Sequence, residues 1–171
     1  MGSECAADQG ILTDMSGESA RESYGTHPQA LRDLRTALGT ENRLLHELSW
    51  EEDQALAAVS LNLFPARSFF DGLTWPDDAV LAQAVEPEYE QAARLLGDLI
   101  LQHSAEHADA VVFWGNLALP TVRLPARLAA ANAGELMDTG DDVWIYLPDR
   151  GVLVEYWHSG RITAGKVPGR C

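Results

Sequence analysis

The sequence predicts an α+β protein in which N-terminal helices pack on a C-terminal, mainly antiparallel sheet of about 4–5 strands ending in a meander. Residues 26–109 contain capped segments whose apolar residues follow helical spacing, whereas residues 110–171 contain short apolar runs separated by turns. Apolar residues make up 46% of the 171-residue chain and charged residues 22%, proportions typical of a protein with a buried core. Residues 1–25 show no period and are expected to form a flexible acidic tail, and residues 26–171 a single domain.

Helices are predicted from start signals followed by apolar spacing. Ser49 and Glu52 form a capping-box pattern, and Thr74 followed by Pro76, Asp77 and Asp78 resembles a helix start with acids in the first turn. Pro87 begins the longest predicted helix, whose broad apolar stripe must face a partner element. The predicted helices are 28–39, 41–47, 49–64, 74–85, a long helix from 87 through the histidines at 103 and 107, and 127–137.

Strands are predicted where short apolar runs meet turn residues. The run at 110–114 is continuously apolar, which indicates a buried strand, and residues 121–124 lie between two prolines, which favours an edge strand. The predicted meander consists of 143–147, 152–157 and 162–167.

The meander has two different faces if its first turn pairs Leu147 with Val152. One face carries the aliphatic residues and predicts the core. The other face combines large aromatics with one carboxylate, a mixture typical of binding surfaces, and consists of Trp144, Tyr146, Leu153, Glu155 and Trp157. Two interpretations stay open: a binding surface, or a face covered by another helix in which Glu155 has a hydrogen-bond partner.

Charge is distributed very unevenly along the chain. The net charge is −14, and 20 of the 26 acidic residues lie in 1–109 beside 6 of the 12 basic ones, so residues 110–171 are neutral overall. Such an excess disfavours nucleic acid and anionic membranes as direct partners and favours a basic protein. The candidate partner-binding residues are Glu51, Glu52, Asp53, Asp77, Asp78, Glu86, Glu88 and Glu90.

One short motif suggests an enzyme instead. His103, Glu106 and His107 fit the H-x-x-E-H pattern, which resembles that of inverzincin metallopeptidases. The resemblance implies a zinc ion held by the two histidines, with Glu106 as general base, if both histidines share one helix face. The same positions also suit histidines that pack near a helix end.

No other motif of cofactor binding or catalysis is found: the sequence has no Walker A, G-x-G-x-x-G, G-x-S-x-G or paired C-x-x-C pattern, and we predict no cofactor. No long apolar run is present, and we expect a cytoplasmic protein. In size, acidity and lack of catalytic motifs the chain resembles bacterial toxin-neutralising immunity proteins and other small acidic inhibitors. This is a similarity of profile only, and it assigns no residue a role.

The leading hypothesis is therefore a non-catalytic acidic protein that neutralises or regulates a basic protein. The alternatives are a zinc-dependent hydrolase that uses the His103 motif and a small-molecule sensor on the aromatic face. The sequence leaves the oligomeric state open.

Overall fold

The computed structural model describes residues 12–65 and 72–169, and within them the predicted α+β class is confirmed. The helices are α1 (Leu12–Ser23), α2 (Arg32–Leu38), α3 (Trp50–Ala58), α4 (Tyr89–Gln102), α5 (Ala126–Ala131) and α6 (Ala133–Thr139). The strands are β1 (His46–Glu47), β2 (Val80–Val85), β3 (Asp109–Trp114), β4 (Val122–Pro125), β5 (Val143–Leu147), β6 (Val152–Trp157) and β7 (Arg161–Lys166).

The strands form one antiparallel sheet in the order β1-β4-β3-β5-β6-β7-β2. The predicted meander is confirmed as β5, β6 and β7, and its first turn pairs Leu147 with Val152 as expected. The sheet has more strands than predicted because β1 and β2 come from the half of the chain that was expected to be helical.

The helix predicted over 74–85 is wrong. Residues Val80–Val85 form β2, which pairs antiparallel with β7, and the residues before it form a turn in which the Ala79 N–H donates to the Pro76 carbonyl at 2.9 Å. Proline and aspartate favour turns as well as helix starts, so this signature fits both structures. The burial of β2 alternates at every second residue, which is the period of a strand.

Other differences lie in the N-terminal part. The segment predicted as a helix over 41–47 is a 3-10 helix (Gly39–Leu44) followed by β1. Residues 12–23 of the expected tail form α1, and the Tyr24 hydroxyl donates to the Leu48 carbonyl at 2.9 Å. Residues 1–11 of that tail lie outside the described residues. The strand predicted over 121–124 is β4, but β1 pairs with its outer side, so β4 is not an edge strand.

Both faces of the sheet are covered. On one face the core is formed with α2, α4, α5 and α6, and it includes Leu34, Leu96 and Leu136. On the other face a second cluster joins the sheet to α3 and, through Phe64 and Leu73, to the chain before residue 66 and after residue 71. Strand β3 lies between the two clusters, which explains its continuous apolar run. No helix in the described part of the chain has the length and apolarity to cross a membrane.

Candidate protein-binding surface

The acidic residues at the start of α3 are each engaged within the chain. Glu51 forms an ion pair with Arg21 at 2.6 Å. Glu52 completes the capping box with Ser49, and hydrogen bonds from Ser49 lower the pKa of its carboxyl. Asp53 is only 5% exposed and accepts a 2.5 Å hydrogen bond from the Thr121 hydroxyl. This group therefore stabilises α3 and its contact with the segment that leads into β4.

The other five candidate acids lie at the two ends of β2. Asp77 and Asp78 lie in the turn before the strand, and Glu86, Glu88 and Glu90 follow it at the start of α4. All but the half-exposed Glu86 are exposed, and within residues 12–65 and 72–169 none of the five forms an ion pair. We call β2 together with these five residues the acidic β2 edge.

The two acidic groups are far apart on the sheet. Asp53 binds Thr121 beside β4, and β4 is separated from β2 by four intervening strands in the sheet order. At about 4.8 Å between neighbouring strands, the distance across the sheet is roughly 24 Å. The eight candidate carboxylates therefore do not form one surface. The α3 group is engaged by an ion pair, a capping box and a buried hydrogen bond, whereas the group around β2 forms no ion pair among the described residues.

Asp77 and Asp78 do not stabilise the start of a helix, although their sequence pattern suggests that role. Acids at a helix start stabilise the helix dipole, and this accounts in part for Glu88 and Glu90, which lie at the N-terminus of α4. No helix follows Asp77 and Asp78, because β2 begins at Val80. Their charges therefore have no dipole to stabilise.

Strand β2 also exposes apolar side chains, which are not among the candidate binding residues predicted from the sequence. Leu81 is 42% exposed and Val85 is 69% exposed. The strand is the last one in the sheet order of the described residues, with β7 on its inner side. The sequence of β2 is apolar except for Gln83 and shows no alternation, so the helix-like start before it decided the prediction.

The aromatic face is largely covered. Phe64, Leu73 and Trp75 pack against it, and Trp144 and Trp157 lie in tilted contact with ring centroids 6.5 Å apart. Burial raises the pKa of the Tyr146 hydroxyl. Helix α3 contributes to this cover through Leu56 and Ala57, in keeping with the interpretation of a face covered by a helix, and non-helical chain supplies the rest.

Glu155 is completely buried beneath this cover. Its Oε2 atom accepts hydrogen bonds from the Leu73 N–H at 3.0 Å and from the Trp75 indole at 3.2 Å. Its Oε1 atom accepts from the Arg161 guanidinium at 3.1 Å. The carboxylate that was a candidate for ligand binding is therefore bonded on both oxygens by its own chain.

The H-x-x-E-H motif does not lie on a helix, and this expectation is wrong. Helix α4 ends at Gln102, His103 is its C-cap, and the following residues form turns in which the Ala105 N–H donates to the Asp149 carboxylate at 2.8 Å. The helical one-face arrangement of His103 and His107 is therefore absent. No group of three His, Cys, Asp or Glu side chains suited to a metal ion occurs within the described ranges.

A cavity of about 190 Å³ lies beside Asp53 and is lined by Tyr24, Phe113 and Trp114 among others. Burial raises the pKa of the Tyr24 hydroxyl to about 12, so this group stays protonated at neutral pH. The cavity thus presents a phenol and a carboxylate that are each hydrogen-bonded within the chain.

Comparison with known protein families finds no family that matches the chain, and comparison with curated proteins finds no match either.

Proposed function

We propose that this chain is a non-catalytic binding protein that neutralises or regulates a basic protein, and that the acidic β2 edge makes the contact. The observation that carries the proposal is the position of Asp77, Asp78, Glu86, Glu88 and Glu90. These carboxylates lie at both ends of a strand with exposed apolar side chains, and among the described residues they form no ion pair.

An excess of like charge lowers the stability of the folded protein. Neighbouring carboxylates that form no ion pair, such as Asp77 beside Asp78, repel one another, and the folded state carries that cost at neutral pH. A cationic surface that docks against them removes the repulsion and is attracted during diffusion, which increases the association rate at low ionic strength. Exposed Leu81 and Val85 between the charges add apolar area that a partner can bury.

The partner class follows from the same charges. A chain with a net charge of −14 repels nucleic acid, but it attracts proteins whose basic surfaces bind nucleic acid or other polyanions. Inhibition of such a protein by occupation of its basic surface is the mode of action that we propose, in keeping with the profile shared with immunity proteins and small acidic inhibitors.

The geometry gives less support to the two alternatives. The zinc hypothesis needs His103 and His107 on one helix face, and α4 ends before them. The small-molecule hypothesis needs an available carboxylate on the aromatic face, and Glu155 is buried with both oxygens bonded.

The test compares two variants with equal change in net charge. The edge variant carries Asp77→Asn, Asp78→Asn, Glu88→Gln and Glu90→Gln. The control variant neutralises four exposed acids outside the acidic β2 edge: Asp33→Asn, Asp98→Asn, Glu106→Gln and Asp109→Asn. Each protein is immobilised, exposed to lysate of the source organism at low and high salt, and the captured proteins are identified by mass spectrometry.

The affinity of a captured partner is then measured with purified proteins. Exposed ion pairs contribute about 0.2–1 kcal/mol each, so loss of four should weaken binding by about tenfold or more at low salt. The control variant should bind within about twofold of the parent, because screening limits long-range effects. If both variants bind the partner equally weakly, net charge alone explains the effect and the acidic β2 edge is not the contact. Capture of only acidic or neutral proteins would also contradict the proposal.

A further inference from the structure

We infer that the acidic β2 edge binds its partner by strand pairing: it accepts an extended segment with alternating apolar side chains and a lysine or arginine at each end. This inference rests on the proposed function and specifies how the basic partner is bound. It combines three observations on the described residues, namely the outward backbone groups of β2, its uncharged exposed side chains, and the acids at both of its ends.

The hydrogen bonding of β2 determines which of its backbone groups point outward. The Glu86 N–H donates to the Gly160 carbonyl at 2.8 Å, in the turn that leads into β7. Because successive residues of a strand direct their backbone groups to opposite sides, Ala84 also faces β7, whereas Gln83 and Val85 direct their N–H and C=O groups away from it. An added strand can bond to these groups without disturbing the existing ladder.

Strand β2 lacks the side chains that often protect edge strands from pairing with another strand. Edge strands commonly carry lysine or proline within the strand, which blocks further pairing. Val80–Val85 contains no charge and no proline, and Leu81, Gln83 and Val85 are exposed. The register shift between Val80 and Ala82 limits regular pairing to the second half of the strand.

The acidic residues around β2 determine which kind of segment can pair with it. A second copy paired antiparallel would place Asp77 and Asp78 of one copy beside Glu86 and Glu88 of the other, and like charges directly opposite are destabilising. Residues 1–11 of the chain itself contain Glu4 and Asp8 without lysine or arginine, so they carry the same unfavourable sign. A segment with basic residues at both ends fits the charges in either strand direction.

The experiment uses a synthetic peptide in which valine and threonine alternate between paired lysines, with a fluorescent label, and a control peptide of equal composition in scrambled order. The protein variants are Gln83→Pro and Gln83→Ala. Both remove the side-chain hydrogen bond from Gln83 to Thr163, which measures 3.2 Å, but only proline removes the outward N–H. Fluorescence anisotropy gives the affinities, and hydrogen exchange of the Gln83 and Val85 amides reports on pairing.

We expect the parent and Gln83→Ala to bind the alternating peptide within about twofold of each other and Gln83→Pro to bind about tenfold more weakly. The peptide should slow exchange of both outward amides, and the scrambled peptide should not. Equal affinity of the proline and alanine variants would overturn the inference, as would absence of binding at millimolar peptide. Self-association of the parent that Gln83→Pro abolishes would also overturn it, because a second copy would then occupy the edge.

If thermal unfolding shows that Gln83→Pro is unstable, two N-methylated peptides are tested against the parent protein instead. One is methylated at the backbone amides along one edge of the extended peptide and the other along the opposite edge. Loss of binding for only one of these peptides supports strand pairing. Failure of the peptide while the acid-neutralised edge variant still loses its basic partner would refute strand pairing alone. Peptide pairing without any captured basic protein would refute the proposed function alone.

Discussion

Glu155 provides the sharpest test of how the aromatic face is held together. We predict that Glu155→Gln destabilises the protein even though glutamine has nearly the same shape. The carboxylate bonds the Leu73 N–H and the Trp75 indole through one oxygen and the Arg161 guanidinium through the other. Glutamine has a single oxygen, so its NH₂ group must face a donor on one of these two sides.

The magnitude follows from these bonds. Loss of a hydrogen bond to a charged group costs about 1.5–3 kcal/mol, and a buried donor left without an acceptor costs about 1–3 kcal/mol. Glu155 is fully buried, whereas Arg161 is 24% exposed in its side chain and keeps part of its hydration, so we place the total near the lower values, at about 3 kcal/mol. For a protein of this size, that corresponds to a fall in Tm of about 6–12 °C.

The assay is urea unfolding followed by tryptophan fluorescence, with thermal unfolding by circular dichroism as a second measurement. Glu106→Gln is the matched control, because it makes the same chemical change at an exposed position, and its effect should lie within about 0.5 kcal/mol. A loss below about 1 kcal/mol in Glu155→Gln would refute the reasoning, since the carboxylate would then not anchor the covering segment to the sheet.

Three further predictions concern other parts of the chain. Burial raises the pKa of the Tyr24 hydroxyl from 10.0 to about 12. The stability that this group contributes is therefore complete below pH 10 and is lost as pH rises through about 12. In Tyr24→Phe, the free energy of unfolding should not show this decrease between pH 10 and about 12. Gly97→Ala should cost about 1–3 kcal/mol in urea unfolding, because its Cβ would lie 2.7 Å from the Ala130 carbonyl oxygen. Ser49→Ala removes the cap of α3 and should cost about 1 kcal/mol, measured in the same way.

The parts of the fold that could be predicted from sequence are those governed by local patterns. The two faces of β5 and β6 followed from the period of a strand once Leu147 was taken to pair with Val152 across a short turn, and the structure has that pairing. The capping box at Ser49 likewise depends on residues three positions apart. The segment before β2 could not be predicted in this way, because its proline and aspartates suit a turn and a helix equally, and pairing with β7 decides between them.

The candidate site was harder to predict because burial and pairing of charges depend on distant residues. Asp53 is buried because it can bond to Thr121, and Glu155 is saturated by donors that include Trp75, 80 positions away in the chain. The charge pattern grouped Asp77 and Asp78, which are exposed, with the engaged carboxylates of α3, because sequence alone could not separate the two sets.

The opposite border of the sheet limits how far any assembly through β2 can extend. There the outermost strand, β1, consists of only His46 and Glu47, too few residues to template a further strand. Head-to-tail growth into a fibre needs two long complementary borders on each molecule, and the sheet of residues 12–65 and 72–169 has one. Addition of a strand at β2 should therefore stop after a single binding event and yield a discrete, finite complex.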